Sequence, residues 1–285
     1  MIRRLCVIGV GLIGGSLALA LRRAGYCGQI VGAGRNAAHL ARAVELGVID
    51  GYDLDLGQAV TGADMVVLAV PMGAMANVLA TIGDHLAPEA VLTDVGSAKA
   101  AVIAAAHEAL GVLPPGFVPG HPIAGTEHSG VDAAFPELFQ GRRVVLTPTP
   151  ASSAQAVAAV RAMWETAGAA VEDMDAATHD RVLAATSHLP HVVAFALVHS
   201  LSRVDTETDI LRYAAGGFRD FTRIAGSDPV MWRDICLTNA PAILESLDRF
   251  RADLDELVRA IAAGDGPRIE TVFREAKRTR DAFRS

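Results

Sequence analysis

Residues 1–23 have the sequence MIRRLCVIGVGLIGGSLALALRR, which fits two very different classes of protein. Two arginines followed by an almost uncharged apolar run are typical of an export signal. The same letters also fit a strand over residues 5–8, the turn G-x-G-x-x-G over 9–14 and a helix over 16–24. The apolar run ends in two further arginines rather than in the small residues at which a signal peptide is cleaved. The sequence therefore favours a strand, a turn and a helix that bind a dinucleotide.

The three glycines of this turn have separate roles. Gly9 permits the tight turn, Gly11 lets the backbone approach a pyrophosphate, and Gly14 allows the helix to pack closely on the strand. Leu12 and Ile13 lie between them, where the start of the helix offers free N–H groups and the positive end of its dipole to the phosphates. We expect all five residues to contact the cofactor.

The end of the second predicted strand, over residues 29–34, bears on which dinucleotide binds. An NAD site usually has an acidic residue about 20 residues after the glycines, where it binds the ribose 2′-hydroxyl. This chain has Arg35 instead, with no carboxylate that would repel a 2′-phosphate. Arg35 therefore favours NADP, whereas stacking of its guanidinium on the adenine would serve NAD equally well.

The composition excludes several classes of protein. The chain has 285 residues, 51% of them hydrophobic, which indicates a globular protein with a well-buried core. Its formal net charge of −7 argues against a nucleic-acid partner. Three cysteines without metal-ligand spacing predict no disulfides and no zinc site, and they fit a reducing cytoplasm. The longest uncharged run, residues 65–83, contains Pro71 and Gly73, so we expect a strand, a turn and a helix rather than a membrane span.

Strands alternate with helical segments as far as residue 174, which is typical of an α/β protein with a doubly wound sheet of the Rossmann type. Val70 and Pro71 end the third strand of this series, at the edge of the sheet where ligands bind, so we expect them to contact the cofactor. The strands predicted after residue 34 cover residues 64–71, 90–95, 117–119, 143–147 and 169–174.

From residue 175 onward the apolar periodicity is helical. We therefore expect a dinucleotide-binding Rossmann domain over residues 1–174 and an all-α domain over 175–285 that binds substrate and forms a dimer. In the second domain, Gly264 ends a long helix and Pro267 starts the next one. An apolar stripe along the long helix indicates burial against a second subunit, with packing inside one chain as the alternative. The stripe consists of Ile243, Leu244, Leu247, Phe250, Leu254, Leu257 and Ile261.

Two polar segments, residues 94–99 and 120–130, follow predicted strands and should face the nicotinamide. Hydride transfer from an alcohol needs a base for the hydroxyl proton, and His121 suits that role. The alternative for His121 is a loop histidine whose ring is satisfied by backbone groups. Ser97 would hydrogen-bond the same hydroxyl or orient the imidazole, and it also fits as a helix N-cap.

Two further polar segments lie in the predicted helical domain. His188 and His191 are three residues apart, and because no Cys, Asp or Glu set completes a coordination shell around them, we predict no metal site. Contact with substrate and polar packing are the roles left open for both. Arg219 and Arg223 are four residues apart, so they should project from one helix face and form a fork for carboxylates. The alternative is a surface pair bound to nearby aspartates.

Five motifs follow one another along the chain: GVGLIGGS at 9–16, DVGSAK at 94–99, GHPIAGTEHSG at 120–130, SHLPH at 187–191 and FRDFTRIAGSDPVMWRDI at 218–235. Through these motifs the chain resembles the prephenate and arogenate dehydrogenase family of tyrosine biosynthesis. The resemblance covers nearly the whole chain. It implies a Rossmann domain and a helical domain that interlocks two subunits into a homodimer.

The resemblance also implies an activity. Family members use NAD or NADP to convert prephenate to 4-hydroxyphenylpyruvate, or arogenate to tyrosine, with loss of CO2. His121 matches the catalytic histidine that bonds the ring hydroxyl, and Ser97 matches the serine that assists it. His191 matches the histidine on the substrate side, and Arg223 matches the arginine that binds a substrate carboxylate.

Four more residues are assigned to the substrate pocket on this resemblance. Thr126 and Glu127 lie in the third motif, and Glu127 matches an acidic residue near the mouth of the pocket. His188 belongs to the fourth motif, and many relatives have lysine at the position of Arg219.

Two other functions remain as alternatives. A β-hydroxyacid dehydrogenase of similar two-domain build would rely on a lysine with an asparagine nearby on the first long helix of the second domain, where this chain has SHLPH. A non-enzymatic dinucleotide-binding redox sensor would need neither a base nor a carboxylate clamp.

Overall fold

The computed structural model describes residues 1–126, 128–204 and 210–282. Its first strand, β1 (Ile2–Ile8), lies inside a six-stranded parallel sheet. Alternate side chains of β1 join the hydrophobic clusters on the two faces of that sheet. A strand that is covered on both faces needs a continuous apolar run, and this explains the pattern with which the chain begins.

The other strands of this sheet are β2 (Cys27–Ala33), β3 (Gly51–Asp53), β4 (Met65–Leu68), β5 (Val91–Asp94) and β6 (Phe117–Val118). Their order is β3-β2-β1-β4-β5-β6, and all neighbours are parallel. The strand order changes direction between β1 and β4, which opens a crevice for a ligand at the carboxyl ends of these strands. The predicted doubly wound sheet of Rossmann type is confirmed.

Six helices accompany the strands among the residues described before position 175. The run of residues 65–83 contains β4, a short 3-10 turn and one complete helix, Met75–Ile82, as its sequence predicts. The strand β3 was not predicted, because three residues are too few to show a periodic pattern. The helices are α1 (Leu12–Arg23), α2 (Ala37–Glu45), α3 (Leu56–Val60), α4 (Met75–Ile82), α5 (Lys99–Leu110) and α6 (Ala154–Thr166).

A second, three-stranded sheet corrects part of the prediction. It contains β7 (Gly120–Pro122), β8 (Arg143–Leu146) and β9 (Ala170–Asp173), with β7 antiparallel to β8 and β9 parallel to it. The strands predicted at 143–147 and 169–174 are present, but their assignment to the doubly wound sheet is wrong. Only Pro119 separates β6 from β7, so the chain passes from one sheet to the other within a single residue.

All secondary-structure elements described after β9 are helical, as predicted. They are α7 (Ala176–Leu183), α8 (Leu189–Leu201), α9 (Gly216–Thr222), α10 (Pro229–Thr238), α11 (Ala240–Ala262) and α12 (Gly266–Ala282), with shorter 3-10 and π turns. A π turn, Ala184–His188, joins α7 to α8 in one helical run. By length and composition alone this run could cross a membrane, a property that core helices of soluble proteins share.

By its internal contacts the chain divides into two compact units, Met1–Ala240 and Pro241–Ser285. The second unit contains nearly all of α11 and the whole of α12. Gly264, at a φ of +64°, separates the two helices as predicted, and Pro267 lies in the first turn of α12. Of the seven residues in the predicted apolar stripe of α11, only Ile243 is buried.

Candidate active site

The glycine turn connects β1 to α1 and has the geometry of a phosphate cradle. A Cβ on Gly9, whose φ is +95°, would lie 2.3 Å from the carbonyl oxygen of Ala69, and a Cβ on Gly14 would lie 2.3 Å from that of Gly9. Both positions therefore require glycine. A Cβ on Gly11 would meet no atom within 4 Å, so the backbone there faces open space.

The start of α1 adds electrostatic complementarity to this cradle. Gly11 is its N-cap and provides no side-chain hydrogen bond, and the first turn contains no acidic residue. The half-buried Leu12 and Ile13 open the helix, so its first N–H groups and the positive end of its dipole are available to an anion. A dinucleotide pyrophosphate fits this arrangement.

The other predicted cofactor residues lie at the same edge of the sheet. Val70 is half-buried and Pro71 exposed, just after the carboxyl end of β4. Arg35 is exposed two residues after β2 ends, and Asn36 caps α2 by accepting a hydrogen bond from the His39 N–H at 3.1 Å. The positive charge of Arg35 therefore stands beside the crevice between β1 and β4, where the parallel strands end.

His121 lies on β7 rather than in a loop, and its ring is held by another histidine. Its Nδ1 is 2.9 Å from Nε2 of the buried His179. The Nδ1 of His179 is in turn 2.8 Å from a carboxylate oxygen of Asp180. The alternative in which backbone groups satisfy the His121 ring is therefore wrong. We call this chain of three side chains the histidine relay.

Hydrogen bonding assigns the tautomers of the histidine relay. Asp180 accepts hydrogen bonds from the backbone N–H groups of Lys99 (2.8 Å) and Ala100 (2.9 Å) at the start of α5, so its carboxylate is ionised and only accepts. His179 must then donate from Nδ1 and accept at Nε2. His121 must donate from its own Nδ1, which leaves a lone pair on its Nε2. This is the form that can accept a proton.

Electrostatics maintain the two charge states that the histidine relay needs. Burial lowers the pKa of His121 well below its ordinary value, and the nearby His179, Lys99 and His188 lower it further. Burial opposes ionisation of Asp180, but the hydrogen bonds from His179 and from the start of α5 hold its pKa below the usual range. His121 is therefore neutral and Asp180 charged at neutral pH.

Ser97 follows β5 and is half-buried. The N-cap of α5 is Ala98, so the proposed capping role of Ser97 is wrong. His179, not Ser97, orients the imidazole of His121. Within residues 1–126, 128–204 and 210–282, no group hydrogen-bonds the Ser97 hydroxyl, which leaves that hydroxyl available to a ligand.

A second cluster surrounds His188, which is 1% exposed. Its Nδ1 lies 3.1 Å from the side-chain nitrogen of Asn239, which also donates to the backbone carbonyl of Asp180 at 2.9 Å. Its ring packs edge-on against Trp232, with centroids 6.0 Å apart. Burial lowers the pKa of His188 to about 4. Of the two roles left open for His188, these contacts favour polar packing.

His191 lies one turn further along the same helical run. Its ring stacks on Trp232, with centroids 3.7 Å apart and planes 19° apart, and its Nδ1 donates to the Ser187 carbonyl at 2.8 Å. Burial lowers the pKa of His191, and the positive charge of Arg223 lowers it further. His191 is therefore neutral, and Arg223 lies within electrostatic range of it.

A series of contacts inside the first unit connects the predicted base, His121, to the arginine predicted to bind a carboxylate, Arg223. Each neighbouring pair shares a hydrogen bond, a ring contact, a peptide bond or a charge interaction. In order, the residues are His121, His179, Asp180, Asn239, His188, Trp232, His191 and Arg223.

The arginine fork differs in detail from the prediction. The helix α9 ends at Thr222, so Arg223 opens a 3-10 turn instead of sharing one α-helix with Arg219. Asp228, an aspartate five residues after Arg223, accepts a hydrogen bond from the Met231 N–H (2.8 Å) and caps α10.

Three further predictions concern Thr126, Glu127 and the absence of a metal site. Thr126 is exposed, and its hydroxyl and the backbone of His128 hydrogen-bond each other. Glu127 lies outside the described residues. Among the residues that the structure does describe, no group of three or more histidine, cysteine or acidic side chains could hold a metal ion.

Sequence reasoning missed several residues that complete the site. His179 and Asp180 are adjacent polar residues at the start of the helical region, and this is the signal that could have identified them. Trp232 lies in the last of the five motifs, but the sequence suggests no role for it. Asn239 gives no sequence signal of its own.

Comparison with known proteins decides the family. The family model described as the nucleotide-binding domain of prephenate dehydrogenase matches residues 17–173, and the model of its dimerization domain matches residues 175–275. The chain belongs to the prephenate dehydrogenase family. A cyclohexadienyl dehydrogenase of Zymomonas mobilis is 42% identical to it, over 99% of this chain and 97% of that protein.

Two solved structures of the family agree with this assignment. Prephenate dehydrogenase from Aquifex aeolicus, in complex with hydroxyphenyl propionate and NAD+, is 37% identical with a TM-score of 0.92, and 98% of each chain is covered. Arogenate dehydrogenase from Synechocystis is 33% identical with a TM-score of 0.81, over 98% of this chain and 99% of that one. Membership of this family of oxidoreductases favours neither the β-hydroxyacid dehydrogenase nor the redox sensor.

Proposed function

We propose that this prephenate dehydrogenase family member catalyses the NAD(P)-dependent oxidative decarboxylation of prephenate, arogenate or both, to 4-hydroxyphenylpyruvate and tyrosine respectively. The observation that carries the proposal is the histidine relay, which leaves a proton-accepting lone pair on Nε2 of His121 beside the carboxyl ends of the sheet. An alcohol oxidation needs such a base.

The cofactor would lie in the crevice at the carboxyl ends of β1, β2 and β4. Gly9, Gly11 and Gly14 shape the turn, and the start of α1 faces the pyrophosphate. A nicotinamide nucleotide bound there supplies the hydride acceptor. Leu12, Ile13, Val70 and Pro71 line the same edge.

His121 is the catalytic base of the proposed reaction. It accepts the proton of the C4 hydroxyl at Nε2, while His179 and Asp180 hold the ring and stabilise the imidazolium that forms. The Ser97 side chain is proposed to form a hydrogen bond with the same substrate hydroxyl, because no described residue of the chain hydrogen-bonds the hydroxyl of Ser97. Loss of the C4 hydride to the acceptor and of the ring carboxylate as CO2 then leaves an aromatic phenolate, which recovers its proton from His121. Aromatisation supplies much of the driving force.

The two substrate carboxylates require cationic partners. Arg223 is proposed to bind one of them in a charge-assisted hydrogen bond, with Arg219 as the second cation of the pocket. His191, held flat on Trp232, contacts the substrate, whereas His188 fixes the position of Trp232. Thr126 and Glu127 are proposed to lie at the mouth of the pocket.

The choice between NADP and NAD rests on Arg35. Its guanidinium follows β2, where no carboxylate would repel a 2′-phosphate, so we propose NADP as the preferred cofactor. Stacking of Arg35 on adenine remains the alternative that would serve NAD. The affinities of Arg35→Ala and of the native chain for NADP and NAD separate the two alternatives. Only binding of the 2′-phosphate by Arg35 predicts a loss of affinity that is confined to NADP.

We also propose a cytoplasmic homodimer of a Rossmann domain, residues 1–174, and a helical domain, residues 175–285. The exposed apolar residues of α11 support a second subunit as the partner, since burial within one chain covers only Ile243 of the predicted stripe. The three free cysteines fit a reducing compartment. No nucleic-acid or membrane partner is proposed.

A steady-state assay that crosses prephenate and arogenate with NAD and NADP tests the proposed activity. We expect reduced nucleotide, CO2 and an aromatic product with at least one pair. Absence of turnover with all four pairs, in a protein that binds nucleotide, would refute the proposal.

A further inference from the structure

Lys99 is fully buried, and the histidine relay does not explain why. Burying an ammonium group is costly unless it is paired and hydrogen-bonded. Its Nζ forms an ion pair with the equally buried Asp94 and donates to the carbonyl oxygen of Gly120 at 2.7 Å. Lys99 is therefore a buried cation that is both ion-paired and hydrogen-bonded, and one of its partners, Gly120, immediately precedes His121.

The Lys99–Asp94 pair hydrogen-bonds both backbone polar groups of Gly120. Asp94 accepts hydrogen bonds from the Gly96 N–H at 2.7 Å and from the Gly120 N–H at 3.2 Å. Gly120 is thus bound at its N–H by Asp94 and at its carbonyl by Lys99. Because Gly120 immediately precedes His121, this pair connects the end of β5 to the strand that carries the base.

The backbone of Lys99 also contacts the opposite end of the histidine relay. Its N–H donates to Asp180, which orients His179 and through it His121. One residue therefore touches the peptide before His121 through its side chain and the terminal carboxylate of the histidine relay through its backbone. The first contact depends on the lysine side chain, whereas the second would survive any substitution except proline.

We infer that Lys99 is a positioning residue for the proposed reaction: its buried ammonium fixes the Gly120–His121 backbone and places a positive charge beside the imidazole that must be neutral to accept a proton. The inference rests on the proposed function. It assigns to the buried pair with Asp94 a task in catalysis in addition to its packing.

Several charged and titratable groups face His121. His179 and Asp180 approach it from α7, His188 from the π turn, and Lys99 from α5, where Asp94 of β5 is its counter-ion. The Lys99 charge disfavours the imidazolium form, so it lowers the pKa of His121. Removing that charge should therefore raise the pKa, and the rate should then fall at a higher pH as the base becomes protonated.

The test compares Lys99→Met with the matched control Lys277→Met. The chain has only these two lysines, and Lys277 is an exposed residue of α12 that pairs with Asp281 on its own helix. For Lys99→Met we expect nucleotide affinity to stay within twofold, kcat to fall by about 10-fold or more, and the acidic limb of kcat/KM to move up by about half a pH unit or more. Lys277→Met should match the native chain in all three measurements.

The double variant Lys99→Met/Asp94→Asn keeps the inference testable if the single variant fails to fold, because it leaves no unpaired buried carboxylate. It should also show the upward shift. Asp94→Asn alone retains the ammonium group of Lys99 and should not move the acidic limb of kcat/KM to higher pH. An acidic limb that stays at the native pH in Lys99→Met or in the double variant, or that moves upward equally in Asp94→Asn, would overturn the inference.

An NMR titration of the His121 ring separates failure of this inference from failure of the proposed function. It requires no turnover, and the signals are assigned by their loss in His121→Asn. A higher ring pKa in Lys99→Met supports the electrostatic role of Lys99 even if neither substrate is turned over. An unchanged ring pKa contradicts that role even if the enzyme is active.

Discussion

The glycine turn and the histidine relay are both part of the proposed active site, but they are encoded in opposite ways. The turn occupies six consecutive residues, and its conformation follows from local sterics at Gly9 and Gly14. The histidine relay joins His121 to His179, 58 positions apart, and ends at the start of α5. A local motif therefore predicts cofactor binding, whereas tertiary contacts alone set the tautomer of the proposed base, His121.

The largest effect should come from breaking the catalytic end of the histidine relay. His121→Asn keeps a polar side chain of similar size but removes the proton acceptor, so kcat should fall by about 10²- to 10⁴-fold. Nucleotide affinity, measured by fluorescence titration, should change less than twofold, because the glycine turn does not depend on His121. Native turnover by this variant would refute the assignment of the base.

Two alanine substitutions in the glycine turn should separate folding from binding. Gly9→Ala forces a residue with a Cβ to a φ of +95° and into the Ala69 carbonyl, and should lower the free energy of unfolding by about 2–3 kcal/mol. Gly11→Ala meets no atom within 4 Å, so thermal unfolding without ligand should be unchanged while nucleotide affinity falls. Equal losses of stability in the two variants would contradict this distinction.

The two arginines of the proposed substrate pocket should differ in their response to the same substitution. Arg223→Lys loses the planar two-pronged geometry that matches a carboxylate, so KM for the substrate should rise about 10-fold. Arg219→Lys keeps the positive charge at this position, so its KM should stay within about twofold of native. If both variants raise KM equally, Arg223 has no special role in binding the carboxylate.

The smallest effect is expected for Ser97. Ser97→Ala removes a hydroxyl that no described residue engages, so the melting temperature should be unchanged while kcat/KM falls about 5- to 10-fold. A lower melting temperature with native kinetics would show instead that Ser97 has a structural role. Cys236→Ala, a change of similar size on α10, is a suitable control.

The same contrast between local and tertiary encoding explains how far sequence could predict this molecule. The parallel sheet, the glycine turn and the break at Gly264 followed from residues close together in the chain. The second sheet did not, because β7 contains three residues and its pairing with β8 spans more than 20 residues. Local motifs mark His121 and Arg223 as candidate site residues, but His179 and Asn239 contact their partners through tertiary structure that no local pattern reveals.

The central claim is that His179 and Asp180 hold His121 as the neutral tautomer with its proton on Nδ1. Nitrogen-15 NMR of the His121 ring at neutral pH measures this directly. We predict a protonated Nδ1 and an unprotonated Nε2 in the native chain, with this preference lost in His179→Phe. A proton on Nε2 of native His121, or an imidazolium at neutral pH, would contradict the account.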